Sequence, residues 1–155
     1  MKLQKQHILI ILAGAIGIYF LVNTLYNYFL SEEQKVKNVF YSMASDIESK
    51  SVLGFGAYFT EDARIRYHAL EMDPKQIGPF LFARMRDYKE IEISFNELSV
   101  EFKDNEAVVT FGGSARAEKR RTVGSFIGTA RLRKIDGEWK ILDATGKQQR
   151  KPMVF

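Results

Sequence analysis

The sequence contains no cysteine, only two histidines, one tryptophan and three prolines in 155 residues. Without cysteine there can be no disulfide framework, no thiolate metal site and no lipid-modified cysteine of the bacterial lipoprotein kind. Of the two histidines, His7 sits beside a long apolar run, which leaves His68 without partners for a zinc site. No phosphate-cradling glycine loop and no Ser-His-Asp spacing is present. No cofactor and no metal is therefore expected.

Charge is missing altogether from residues 8–30, ILIILAGAIGIYFLVNTLYNYFL, a run of 23 residues. A helix of that length extends about 35 Å, enough to cross a hydrocarbon core of about 30 Å. Thirteen of its residues are Ile, Leu, Val or Phe. Together they favour insertion by roughly 4–8 kcal/mol. Asn23 and Asn27 oppose it but lie toward one end, where Tyr26 and Tyr28 fit an interfacial aromatic belt. A cleaved signal peptide would have a shorter apolar core ending in small residues. Here the run ends in the bulky Asn27-Tyr28-Phe29-Leu30-Ser31. The expectation is an uncleaved signal anchor: a tail over 1–7, a single-pass transmembrane helix over 8–30, a soluble domain over 31–150 and a C-terminal tail over 151–155. Lys2 and Lys5 precede the helix, whereas Glu32 and Glu33 follow it at once. The positive-inside rule then puts the N-terminus in the cytoplasm and the domain outside, in the periplasm if the cell is bacterial.

The remaining charge is unevenly spread. Residues 31–111 carry ten Lys/Arg against fifteen Asp/Glu, and residues 112–155 carry eleven against four. Such a basic half fits an anionic lipid surface or an acidic partner, and fits equally a set of solvated strand faces and hairpin tips. No aromatic nucleic-acid signature accompanies it, which speaks against DNA or RNA.

Residue periodicity orders the rest. Ser31 with Glu32 and Glu33 opens an amphipathic helix, whose apolar stripe runs Val36, Val39, Phe40, Met43, Ala44, Ile47. A second helix is expected over Lys50–Tyr58, weakened by Gly54 and Gly56. Thr60-Glu61-Asp62 reads as a turn and Ala63–His68 as a strand. Asp73-Pro74 opens a third helix reaching about Tyr88. From Ile91 the period becomes two, with a phase shift at Asn96-Glu97 that predicts a bulge. Strands then follow over Glu106–Glu118, Thr122–Ile135 and Glu138–Thr145, joined at Asp104-Asn105, at the basic run Lys119-Arg120-Arg121, and at Asp136-Gly137.

Two helices, a short strand, a third helix and a long antiparallel meander resemble the nuclear transport factor 2-like superfamily. The stretches AYFTEDARIRY, DPKQIGPFLFARM and GTARLRKIDGEWKILDATG carry the resemblance, which spans residues 32–150. It implies an α+β fold in which a curved antiparallel sheet wraps about three helices into a cone with an internal pocket. The superfamily includes isomerase-like and dehydratase-like enzymes and many domains without activity. Membrane-anchored assembly subunits of secretion systems are also similar to it. Fold alone does not choose among these.

Active members place a carboxylate, histidine or tyrosine inside the cone, so Asp143, His68, Tyr58 and Asp62 are the catalytic candidates. Each also has a plainer reading. Asp143, in phase with Trp139 and Ile141, either points inward or pairs with Arg131 or Arg133. His68 shares a strand face with Arg64 and Arg66, and Asp62 sits at a turn. Tyr58, Phe59, Tyr67, Phe80, Phe111 and Trp139 line a pocket or fill a closed core. Lys119, Arg120 and Arg121 form the candidate partner or lipid surface. The leading expectation is a non-enzymatic, membrane-tethered binding or scaffold domain, able to form a homodimer or join a membrane complex. A small-molecule pocket protein or an isomerase or dehydratase is the alternative, and an assembly subunit of a secretion-type complex is a third. Stronger binding to vesicles with anionic lipid than to neutral ones is expected of the basic half. Charge reversal at Lys119-Arg120-Arg121 should abolish it, as read by vesicle co-sedimentation.

Overall fold

The structure is a computed structural model that describes residues 5–117 and 121–149, apart from the side chains of 5–7, 27–29 and 121–123. The chain divides into two compact units, Met1–Gln34 and Lys35–Phe155. The first is dominated by helix α1, Lys5–Phe29. Within it the 19 residues Ile8–Tyr26 are long and apolar enough to cross a membrane.

Helix α2, Glu32–Glu48, starts where Ser31 Oγ accepts the Gln34 N–H at 3.1 Å. Its buried residues Val36, Phe40 and Ala44 recur every four positions, the spacing that puts them on one face. Past Lys50 the expected second helix shrinks to a single 3-10 turn, Phe55–Tyr58. Glycine lowers helix propensity, and Gly56 has a further reason to stay small. A Cβ there would meet the Pro74 carbonyl oxygen at 3.0 Å. Helix α3, Pro74–Met85, opens as the sequence predicts: the Asp73 carboxylate accepts the Lys75 and Gln76 N–H groups at 2.8 and 3.1 Å. The Gln76 side chain returns a bond to the Asp73 N–H, completing a capping box with proline in the first turn.

Six strands form one sheet: β1 Phe59–Tyr67, β2 Leu70–Met72, β3 Ile91–Lys103, β4 Glu106–Ala117, β5 Arg121–Ile135 and β6 Glu138–Gln149. Their order is β2-β1-β6-β5-β4-β3. The meander from β3 to β6 is antiparallel, but β1 joins β6 in parallel, so the sheet is mixed. Two local expectations are corrected here. Thr60-Glu61-Asp62 is not a turn but part of β1, because Phe59 already pairs with Ile141. The short strand β2 has no periodic signal of its own and exists through its pairing with β1.

Both tight hairpins obey their turn chemistry. Asp104 and Asn105 have φ of 50° and 63°, and Asp136 and Gly137 have 51° and 82°. Left-handed values at both central positions match the right-handed twist of the flanking strands. Curvature comes from extra residues: the register slips at Asn96 in β3, at Val123 in β5 and at Leu142 in β6. It also comes from a reciprocal pair across β4 and β5. Phe111 lies opposite Gly128, and Gly113 lies opposite Phe126. A Cβ at Gly128 would stand 2.5 Å from the Phe111 ring, and one at Gly113 would stand 2.8 Å from the Phe126 ring. Helix α2 closes the edge of the sheet, since Glu48 accepts the outward Ile93 N–H of edge strand β3 at 2.8 Å.

Tyr58 ties the 3-10 turn to α2 by donating its hydroxyl to the Asp46 carboxylate at 2.6 Å. Burial first, then this bond and the Asp46 charge, push its pKa from 10.0 up to about 12. The folded state thus favours the neutral phenol, and the stabilisation is complete below pH 10 and lost as pH rises through about 12. Tyr58→Phe should remove an ionisation near pH 12 from the tyrosinate absorbance titration and erase that pH dependence. Gly128→Ala should lower stability by about 1–3 kcal/mol, because its Cβ also meets the Thr145 backbone, which cannot rotate away. Thermal melts of the two proteins measure the difference.

Candidate functional site

The cone is hollow. Three inward faces enclose a cavity of about 530 Å³, within the range of small-molecule sites. Helix α2 contributes Phe40, Met43, Ala44 and Ile47, and α3 contributes Ile77, Phe80, Leu81, Arg84 and Met85, continued by Tyr88. Both are helical stripes at three- and four-residue spacing. From the sheet come Ile91, Ile93 and Phe95 of β3, Phe111, Ala115 and Ala117 of β4, and Phe126 of β5. Small residues of β6, Ala144 and Gly146, keep that wall recessed. The rings pack edge-on or tilted: Phe40 lies 6.5 Å from Phe95 and 5.6 Å from Phe111, and Phe126 lies 5.9 Å from Phe95. They hold each other against the wall and leave the interior open.

The polar lining is sparse. Tyr67, Tyr88, Ser125 and Gln148 contribute to it, with the cations Arg66, Arg84 and Lys147. Among the described residues no aspartate, glutamate or histidine lines it.

Of the aromatic residues singled out from the sequence, Phe59, Tyr67, Phe80 and Phe111 line this cavity. Trp139 is further along the sheet, against Phe102 at 5.8 Å, and Tyr58 is held by Asp46. None of the four candidate catalytic side chains is brought to the cavity or to another of the four. Asp62 is exposed on β1, beside Ala63, Arg64 and Glu71 in a shallow polar groove. His68 turns the chain from β1 to β2 with φ of 53°. Its backbone N–H donates to the Gly146 carbonyl at 3.3 Å, and its Nε2 accepts the Gln148 N–H at 3.2 Å. It thereby extends the contact between β1 and the end of β6.

Asp143 shows how a one-residue slip decides a side chain's face. The alternation Trp139, Ile141, Asp143 holds only if β6 is regular. Leu142 is an extra residue: Ile141 faces Leu132, yet Asp143 faces Arg131. After the slip, Ala144, Gly146 and Gln148 take the cavity side and Asp143 takes the outer side. There Arg131 donates from Nε at 2.7 Å and also from Nη2 to the same carboxylate oxygen. Arg131 reaches Glu106 at 3.4 Å, and Arg133 reaches Glu106 at 2.7 Å. The hydrogen bond that Arg131 donates to Asp143 and the Asp143 charge raise the Arg131 pKa above its ordinary value.

Lys119 and Arg120 lie outside the described residues. Arg121 opens β5, and the positions flanking this basic run, Ala117 and Gly124, line the cavity. Arg84, Tyr88 and Gln148 had not been singled out from sequence. Arg84 and Tyr88 extend the α3 stripe in register, a signal that apolar patterning passes over because neither residue is apolar. Gln148 became visible only because β6 runs to Gln149, past the expected end at Thr145. Among the described residues no group of three or more His, Asp or Glu is placed to hold a metal ion.

No protein-family model and no curated protein matches the sequence. Solved structures do match. A protein of unknown function with a cystatin-like fold from Nostoc punctiforme has a TM-score of 0.69 at 12% identity, over 80% of this chain and 96% of that one. A nuclear transport factor 2-like protein with a cystatin-like fold from Novosphingobium aromaticivorans has 0.69 at 7%, over 84% and 90%. A dehydratase candidate of the same family from Streptomyces avermitilis has 0.64 at 11%, over 76% and 96%. At these identities the likeness concerns the fold. The chain carries one N-terminal helix long and apolar enough to span a membrane, followed by a unit of nuclear transport factor 2-like fold.

Proposed function

We propose that this is a single-pass membrane protein whose domain binds an apolar small molecule in its cone without turning it over. The observation that carries the reading is the cavity itself, about 530 Å³ in volume, mostly apolar, and lined by no carboxylate or histidine among the described residues. General acid–base chemistry needs a titratable group within hydrogen-bond reach of the reacting atom. Asp143 of β6 is spent on the outer face in an ion pair with Arg131. Helix α1 is the anchor, with Lys2 and Lys5 on the cytoplasmic side and the domain outside, in the periplasm if the cell is bacterial.

A dehydratase or isomerase is the second reading, favoured by the dehydratase candidate among the similar structures. Here it would have to work through Tyr67 or Tyr88 at the cavity wall. A homodimer, a secretion-type membrane complex and a headgroup-binding surface at Lys119-Arg120-Arg121 rest on the anchor and the charge pattern alone.

Binding is tested with the full chain in lipid nanodiscs and an apolar fluorescent dye, with empty nanodiscs subtracted. Dye should bind at one site per chain, and Ala144→Phe should weaken it about tenfold or more by filling the recessed wall. Equal binding by a folded Ala144→Phe protein would remove the cavity reading.

A further inference from the structure

We infer that the ligand is a single-chain amphiphile with an anionic head, its tail in the cone and its head at Arg84. The inference rests on the cavity reading and adds the chemistry of the occupant. Its first support is the sign of the lining. Arg66, Arg84 and Lys147 line the cavity, and among the described residues no acidic side chain does. None of the three cations lies in a salt bridge among the described residues, although Arg64, Arg86, Arg131 and Arg133 all have one.

The weight falls on Arg84. Arg66 and Lys147 alternate with the inward Tyr67 and Gln148, so strand phase directs their charges to the other face. Arg84 instead belongs to the inward stripe of α3, three and four residues after Leu81 and Phe80. Its guanidinium lies over the Phe80 ring, 5.2 Å from the centroid. That contact holds the guanidinium at the cavity wall, and no salt bridge among the described residues occupies its donors. A guanidinium edge recognises carboxylate or phosphate oxygens in a two-pronged fashion. Tyr88, one turn further on, adds a hydroxyl at the same wall.

The second support concerns the tail. Beyond these groups the wall is hydrocarbon, and three methionines, Met43, Met72 and Met85, belong to it. Methionine adapts its shape to its neighbour, which suits a flexible chain better than a rigid ring system. A neutral apolar ligand would leave Arg84 unpaired beside it, and a zwitterion would bring a second cation toward it. An anion with one apolar tail satisfies both ends of the cavity.

The test uses the full chain in nanodiscs and a photoreactive decanoate with a diazirine at its tail. Crosslinks are mapped by peptide mass spectrometry, and unlabelled decanoate, decyl phosphate and decanol serve as competitors. Label should appear on cavity-wall peptides such as that containing Phe111. At least one of the two anions should compete at about tenfold lower concentration than decanol, the size of one charge-assisted hydrogen bond. Which anion wins identifies the head. Arg84→Gln should bring anion and alcohol within about twofold of each other. Decanol competing as well as both anions would overturn the inference and leave the cavity reading standing. So would a folded Arg84→Gln protein that keeps the full preference. Absence of label from every cavity peptide, with dye binding also absent, would remove the cavity reading itself.

Discussion

The open interior depends on a reciprocal exchange of ring for hydrogen across two neighbouring strands. Phe111 covers Gly128, and Phe126 covers Gly113, so each ring lies where a side chain would otherwise stand. The rings occupy the wall instead of the space in front of it. Had both positions carried side chains, the phenylalanines would be displaced toward α2, where Phe40 already sits 5.6 Å from Phe111. The void would then be a core. The hollow of this cone therefore depends on two glycines that carry no chemistry of their own.

That constraint explains what could be read from the sequence. Hairpins closed by Asp104-Asn105 and Asp136-Gly137 announce themselves, because left-handed backbone selects for few residue types. So do the Asp73 cap and the bulge at Asn96, where polar residues interrupt a period-two pattern. The fold class was legible because these signals are local and frequent. The start of β1 and all of β2 were not. Their conformations come from partners eighty residues away or from each other, as the Phe59–Ile141 and Ile65–Met72 pairs show. The 3-10 turn fell between these cases. Gly54 and Gly56 announced a weak helix, but the close pass of Pro74 over Gly56 is a tertiary fact.

The candidate site was half legible for the same reason. Phe59, Tyr67, Phe80 and Phe111 could be named as wall residues, since an aromatic on an inward phase must pack somewhere. Asp143 could not be assigned to a face. Strand alternation carries it inward, and only the extra residue Leu142 turns it outward, toward Arg131. Nothing in the letters ILDAT marks that slip. Its cause lies in the neighbouring strand, where Arg131 and Arg133 offer two cations beside Glu106. Asp143 completes a network of alternating sign there, whereas inside the cone it would lose hydration beside phenylalanines.

The register of the last strand thus sets what chemistry this cone can hold. With β6 regular, a carboxylate would stand in an apolar enclosure, the setting that raises its pKa and equips a general base. With Leu142 inserted, the same residue type becomes part of an exposed ion-pair network, and the interior receives Ala144 in its place. The residue list is unchanged between the two cases, so composition and motif searches see no difference. What differs is the sign of the charge left at the wall. Removing the acid from the inside while Arg84 stays on the inward stripe of α3 leaves a cation at the wall, the condition on which the proposed anionic ligand rests. Within one fold, then, a single-residue slip decides whether a carboxylate of the last strand stands inside the cone or outside it.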